Sequence, residues 1–283
     1  MNDDIKVFGL FGFPLSHSLS PSMHNEALKA LGIPGIYFAF ERNKKQFLRL
    51  VRSKKKIILD GFNLTVPLKE CVLPYLDSLD DSAKQAGAVN TVHRTGNHFR
   101  GYNTDLFGIL QSFRKARFSP RGKKAVILGA GGAARGVAAA LAKGGAREIG
   151  MINRTISKSI QVVREFQRKF PRVRIKAIRS EKDLKSELRD IDLLVNATSV
   201  GLKEKDRSLV SSALFPKKKI LVFDLIYGRK TELLKTAKKL GHKTISGETM
   251  LLYQGARAFE IWTKRKAPIS VMRKALHDGI MAR

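Results

Sequence analysis

Two α/β domains, each with strands and helices in alternation, are what this sequence predicts, and three observations carry that expectation. Short apolar runs of strand length alternate with helix-length stretches along nearly the whole chain, a pattern that favours parallel sheets with right-handed crossovers. A glycine-rich strand-to-helix turn lies near the middle, at Gly129–Ala134. Just ahead of it, Ser119-Pro-Arg-Gly122 reads as a hinge between two halves. A chain of 283 residues is long enough to bury one large core or two ordinary ones.

In order, the first half predicts a strand over Lys6–Gly12, a helix over Pro21–Leu31, a strand over Ile36–Glu41, a helix over Lys44–Arg52 and a strand over Ile57–Leu64. A further helix is expected to start near Pro67, because proline suits a first helical turn, as Pro21 does in the earlier helix. Ala88–Arg94 and His98–Tyr102 read as two strands joined by the turn Thr95-Gly-Asn97, followed by a helix from Asp105 to about Ala116. In the second half, strands are expected at Ala125–Leu128, Glu148–Ile152, Val173–Ile178, Asp192–Asn196 and Ile220–Leu225. The helices between and after them run through about Lys143, over Glu181–Leu188 and over Thr231–Leu240. The last helical stretch, Thr249–Lys264, carries Leu251, Leu252, Ala256, Phe259 and Trp262 at helical spacing. No internal repeat or low-complexity segment interrupts this order.

The central turn states a ligand class. Gly129 and Gly131 permit a tight turn and a close backbone approach to a pyrophosphate, and Ala134 stands where a third small residue lets a helix pack on the sheet. The helix that follows would aim its free N–H groups at the phosphates, so the domain reads as Rossmann-like. An NAD-selective site would carry Asp or Glu at the end of the next strand, to bind the ribose 2′-hydroxyl. Here that place holds Asn153, Arg154 and Thr155, with Lys158 close behind. A guanidinium matches a phosphate dianion with a planar fork of donors, which predicts the 2′-phosphate of NADP.

Composition narrows the rest. Hydrophobic residues make up 43% of the chain and aromatic ones 8%, as in a soluble globular protein. No apolar run is long enough to span a bilayer, and Met1-Asn-Asp-Asp4 lacks the basic n-region of a secretory signal, so the expected address is cytoplasmic, away from membranes. Cys71 is the single cysteine, which excludes internal disulfides and a cysteine metal cluster; no metal site is expected. Lys and Arg number 54 against 24 Asp and Glu, a net +30 that favours anions. The basic residues are scattered, with short clusters only at Lys54–Lys56 and Lys217–Lys219, and no helix-turn-helix or zinc-finger spacing accompanies them. A solvated basic surface, with no specific nucleic-acid partner, is therefore expected.

Polar residues gather where first-half strands end: Ser16 and Ser18 in a loop before a helix, Thr65 and Lys69 after a strand, then Asn90 and Asp105. Such strand ends are where α/β folds bind ligands. With these residues in view, the chain resembles the shikimate dehydrogenases, which reduce 3-dehydroshikimate with NADPH. The resemblance covers nearly the whole length and rests on many motifs in the family's order: Ser16-His-Ser18, Asn63-Leu-Thr-Val-Pro-Leu-Lys69, Gly87-Ala-Val-Asn-Thr91, Asn103-Thr-Asp105, Gly129-Ala-Gly-Gly-Ala-Ala134, Asn153-Arg-Thr155, Asn196-Ala-Thr-Ser199 and Tyr253-Gln-Gly-Ala-Arg-Ala-Phe259.

The resemblance implies a substrate-binding catalytic domain over 1–105, with a helical return at 249–283, and a Rossmann NADP-binding domain over 106–248, with a cleft between them. Ser16 and Ser18 would bind the substrate carboxylate. Thr65, Lys69, Asn90, Asp105 and Gln254 would hold the ring hydroxyls, with Tyr227 lining the same cleft. Gly129, Ala130, Gly131, Gly132, Ala133 and Ala134 would take the pyrophosphate, and Asn153, Arg154, Thr155 and Lys158 the 2′-phosphate. Thr198 belongs with the cofactor residues, and Gly247 would lie near the nicotinamide. Hydride reduction of a ketone creates an alkoxide that needs a proton; Lys69 is the expected donor and Asp105 the carboxylate that orients it. His17, between the serines, is assigned a structural part. Gly228-Arg-Lys230 after Tyr227 and the charged run Lys203–Arg207 depart from the family pattern, which affects loop detail. Shikimate is the expected substrate and a monomer or homodimer the expected state. The alternatives are a paralogue acting on quinate or aminoshikimate and a basic non-catalytic binding protein on the same fold.

Overall fold

The computed structural model describes residues 5–16 and 18–282. These group into two compact units, one reaching to Gly108 and resuming at Leu252, the other spanning Ile109–Leu251.

The first unit begins with β1 (Lys6–Gly12), α1 (Ser20–Ala30), β2 (Gly35–Glu41), α2 (Lys44–Arg52) and β3 (Gly61–Leu64). It continues with β4 (Ser78–Leu79), α3 (Asp81–Ala86), β5 (Thr91–Thr95), β6 (His98–Tyr102) and the start of α4 (Thr104–Lys115). Its six strands lie in the order β2-β1-β3-β5-β6-β4. The first three are parallel, but β5 runs antiparallel to both β3 and β6. For the β5–β6 pair the cause is legible in the sequence: Gly96, at φ +57°, turns the chain so tightly that only an antiparallel neighbour is in reach. Phe11, Phe47, Val51, Phe62, Leu64, Val89 and Phe99 fill the core on one face.

No helix forms at Pro67. The Val66–Pro67 peptide is cis, the Leu68 N–H bonds back to the Thr65 carbonyl, and the Lys69 carbonyl accepts from the Val89 N–H at 2.8 Å. That carbonyl is thus used by another loop, where a helix would have turned it to its own next turn. The strand expected from Ile57 starts only at Gly61; a single 3₁₀ turn over Lys54–Lys56 is followed by residues 57–60 outside any strand or helix.

The second unit takes the rest of α4, then β7 (Lys124–Leu128), α5 (Gly132–Lys143), β8 (Glu148–Ile152), α6 (Ile156–Lys169), β9 (Arg174–Ala177), α7 (Glu181–Leu188) and β10 (Leu193–Asn196). After these come β11 (Leu221–Asp224), α8 (Glu232–Lys239), β12 (Lys243–Ile245) and the start of α9 (Glu248–Thr263). Every pairing is parallel, in the order β12-β11-β10-β7-β8-β9. The order reverses between β7 and β10, which is the ligand crevice of a doubly wound sheet. Small residues along α5 let it pack so closely that it is buried from Ala134 to Ala142.

The chain re-enters the first unit within α9 and ends in α10 (Ile269–Met281). Met272 and Leu276 are its buried residues and α1 is its neighbour. Ile269, Met272, Leu276 and Ile280 recur at helical spacing, with Arg273, Lys274 and His277 exposed on the other face.

Candidate active site

Lys69 stands four residues beyond Thr65, on the turn anchored by Val89. Its ammonium donates to Asp105 Oδ2 at 2.6 Å, and the two side chains are 12% and 3% exposed. Asp105 sits in the first turn of α4, where the helix dipole favours an anion. Its second oxygen, Oδ1, accepts from Asn90 Nδ2 at 2.7 Å. Gln254, on α9, reaches the same place with Oε1, 3.3 Å from Asn90 Nδ2. Lys69, Asn90, Asp105 and Gln254, four residues from four separate stretches of sequence, thus form one cluster.

The other residues expected to meet substrate are placed separately. Thr65 follows β3 and packs against Gly12, and the Phe13 N–H bonds the Val66 carbonyl at 2.9 Å, which ties the start of the serine loop to the Thr65 turn. Ser16 is exposed; Ser18 is partly buried, and its Oγ accepts from the Ser20 N–H at 3.3 Å. His17 lies outside the described residues. Tyr227 belongs to the second unit.

Behind the cluster lies a second layer to which the sequence motifs assign no roles. Asn63, Thr91 and Thr104 are buried and bonded to Asn90 or to one another, and Tyr37 bonds Asn63 at 2.8 Å. One signal could have revealed them: Asn63 interrupts the apolar run Phe62-Asn-Leu64 inside a strand, and a buried amide needs partners. His24 stacks on Tyr37, centroids 4.4 Å apart and ring planes nearly parallel. Burial lowers its imidazole to about 3, and burial raises the Tyr37 phenol well above its usual range.

In the second unit, Gly129 follows β7 at φ +116°, a conformation L side chains rarely adopt, and a Cβ there would stand 3.0 Å from the Ala197 carbonyl. Gly131 is the N-cap of α5; no side chain caps that end and no acidic residue stands in its first turn. Across the reversal point, Asn196 Oδ1 takes the Thr198 N–H and hydroxyl at 3.1 and 2.7 Å, and Asn196 Nδ2 bonds Asp224. Burial pushes the Asp224 carboxyl above its usual range, against the bonds from Thr231, Ile226 and Asn196. Gly247 approaches the Leu225 carbonyl so closely that a Cβ would fall 2.0 Å from it.

Past β8, Asn153 Nδ2 bonds the Thr155 carbonyl at 3.0 Å, while Arg154, Thr155 and Lys158 are exposed at the start of α6. No acidic residue occupies that helix's first turn. Uncapped N–H groups on α5, with cations and no carboxylate at the head of α6, fit a dinucleotide bearing an extra phosphate. Arg135, buried on α5, is held by Glu165 at 2.8 Å. Burial raises the Glu165 carboxyl, but bonds from Lys169 and Arg135 outweigh that and hold it below its usual range.

Three family profiles match the chain. The shikimate dehydrogenase substrate binding domain covers residues 10–92, shikimate / quinate 5-dehydrogenase covers 113–240, and the shikimate 5'-dehydrogenase C-terminal domain covers 247–277. The shikimate dehydrogenase (NADP(+)) of Methanopyrus kandleri is 43% identical over 281 residues, 98% of this chain and 97% of that one. Shikimate 5-dehydrogenase from Thermus thermophilus, solved with NADP(H) and shikimate, is 36% identical with a TM-score of 0.84, over 97% of this chain and 100% of that one. Quinate dehydrogenase from Corynebacterium glutamicum, solved with NAD, is 27% identical with a TM-score of 0.86, over 97% and 99%.

Proposed function

The chain belongs to the shikimate dehydrogenase family, and on that premise we propose that it interconverts 3-dehydroshikimate and shikimate with NADP, Lys69 and Asp105 handling the proton. The observation that carries this reading is the enclosed Lys69–Asp105 pair, bonded on its far side by Asn90.

NADP supplies and accepts the hydride. In the direction of reduction, Lys69 donates a proton from Nζ to the oxygen of the former ketone, and in oxidation it takes that proton back. Asp105 fixes the direction of the ammonium and offsets the cost of holding a cation among buried groups. Asn90 and Gln254 present amide groups to ring hydroxyls, Thr65 adds a hydroxyl, and Ser16 and Ser18 bind the carboxylate. Tyr227 and Gly247 serve the same reaction from the second unit. Gly129–Ala134 takes the pyrophosphate, Thr198 adds a hydroxyl beside it, and Asn153, Arg154, Thr155 and Lys158 hold the 2′-phosphate.

The domain assignment follows: 1–105 with 249–283 binds substrate, and 106–248 binds NADP. No described helix is long and apolar enough to cross a membrane, and the expected setting is cytoplasmic, as a monomer or homodimer. The test is a panel of shikimate, quinate and aminoshikimate, each with NADP and NAD, followed by the absorbance of the reduced nicotinamide. Turnover is expected with shikimate and NADP above every other pair. Preference for quinate, or for NAD, would overturn the assignment.

A further inference from the structure

The amide of Asn90 can sit either way round, and only one way serves the Lys69–Asp105 pair. With its NH₂ toward Asp105, it donates to a carboxylate; turned over, it would set one oxygen against another. The surrounding bonds remove the choice. Asn90 Oδ1 accepts from the Thr104 backbone N–H at 2.8 Å, a group that can only donate. The Thr91 hydroxyl also points at Oδ1, at 3.0 Å.

Thr91 is itself set by Asn63. The Asn63 NH₂ donates to the Asn90 backbone carbonyl at 3.0 Å, a group that can only accept, and to Thr91 Oγ1 at 2.9 Å. With that lone pair of Thr91 taken, its single hydrogen is left for Asn90 Oδ1 or for Thr104 Oγ1, 3.1 Å away. Asn63 Oδ1 is occupied in turn by the Tyr37 hydroxyl. Tyr37, Asn63, Thr91 and Thr104 are at most 5% exposed. With that hydrogen on Asn90 Oδ1, the shorter of the two contacts, the bonds run with one polarity from Tyr37 through Asn63, Thr91 and Asn90 to Asp105.

We infer that Asn63 and Thr91 are positioning residues, which hold the Asn90 amide in the one orientation that lets Asp105 aim the Lys69 ammonium. This rests on the proton-transfer role given to that pair above. Buried networks of this kind specify one geometry when every member is satisfied, and lose it when one is removed.

Thr91→Val keeps the shape and removes the hydroxyl. Its kcat for shikimate oxidation should fall by up to about a hundredfold, the scale of a catalytic group displaced by about 1 Å. KM for NADP should be unchanged, and the pH profile of kcat should shift. Thr91→Ser should recover most of the rate and the parental profile. In a Lys69→Ala background, Thr91→Val should cost almost nothing more, because it acts through a group already gone. A merely structural role would lower the rate in both backgrounds alike, and that result overturns the inference.

Tyr37→Phe, which frees only the far end of the chain, should give a smaller loss of the same kind and stands in if Thr91→Val does not fold. Hydrogen exchange of the Asn90 side-chain amide, assigned by its absence in Asn90→Asp, reads the lock without substrate: slow in the parent, fast in Thr91→Val. Equal exchange in the two proteins overturns the inference. A parent that does not oxidise shikimate overturns the function proposed above, and the exchange measurement still decides this one.

Discussion

Lys69 carries the sharpest expectation. Removing a general acid–base group typically costs about 100- to 10,000-fold, so Lys69→Ala should lower kcat within that range while the substrate KM moves much less. Asp105→Asn should also lower kcat, and the double variant should lose less than the product of the two single losses, since the pair acts as a unit. A folded, saturable Lys69→Ala enzyme with parental turnover would end the assignment. His24 tests a different property, stability against pH. Its folded value is depressed from 6.5 to about 3 by burial, so the unfolded chain gains a proton below 6.5 that the folded one refuses. Its contribution is fully present above that value and declines as pH falls, by about 1.4 kcal/mol per pH unit, until about pH 3. Denaturant unfolding of His24→Leu should show a shallower loss from about pH 6 to pH 4 than the parent. Identical slopes would show that the imidazole is protonated inside the fold. That Lys69, Asp105, Asn90 and Gln254 lie together is foreshadowed in the sequence, because each stands in a motif that the family resemblance rests on. Thr91 and Asn63 lie in the same motifs, yet their part is not foreshadowed, because their bonds depend on β3 and β5 lying side by side, which no local pattern records.

At the scale of elements, cofactor choice belongs to the junction of β8 and α6. Arg154 is exposed there with no acidic residue in the first helical turn. Arg154→Asp should weaken NADP by about 1.5–3 kcal/mol, the usual worth of a charged hydrogen bond, and narrow the gap to NAD. An unchanged KM for NADP would remove the 2′-phosphate from this corner. The strands β7 to β11 are the easiest to read, since doubly wound strands are continuous apolar runs, whereas α6 is not among the helices expected from sequence. The helix expected at Pro67 failed for a tertiary reason: the Lys69 carbonyl is bound by the Val89 N–H, so a distant loop overrules the local preference. The short strands β4 and β12 escaped notice because two or three residues cannot show a period.

Over the whole molecule the net charge of +30 is the property that sequence states best and explains least. The larger share of it lies in residues 109–251. If this is a solvated surface, affinity for duplex DNA should be weak, indifferent to sequence and lost steeply as salt rises. Tight, sequence-selective binding at physiological salt would revive a binding-protein role. The two-unit organisation gives the single tryptophan a use of its own. Trp262 is buried in the first unit, stacked on Phe8 at 4.9 Å and bonded through Nε1 to the Val92 carbonyl at 2.9 Å. Excited at the red edge of the indole band, the protein therefore emits from one half alone. A red shift in that emission dates the opening of the substrate-binding half, while circular dichroism records helices in both. If the halves melt apart, the two signals will part company, and no label needs to be added to see it.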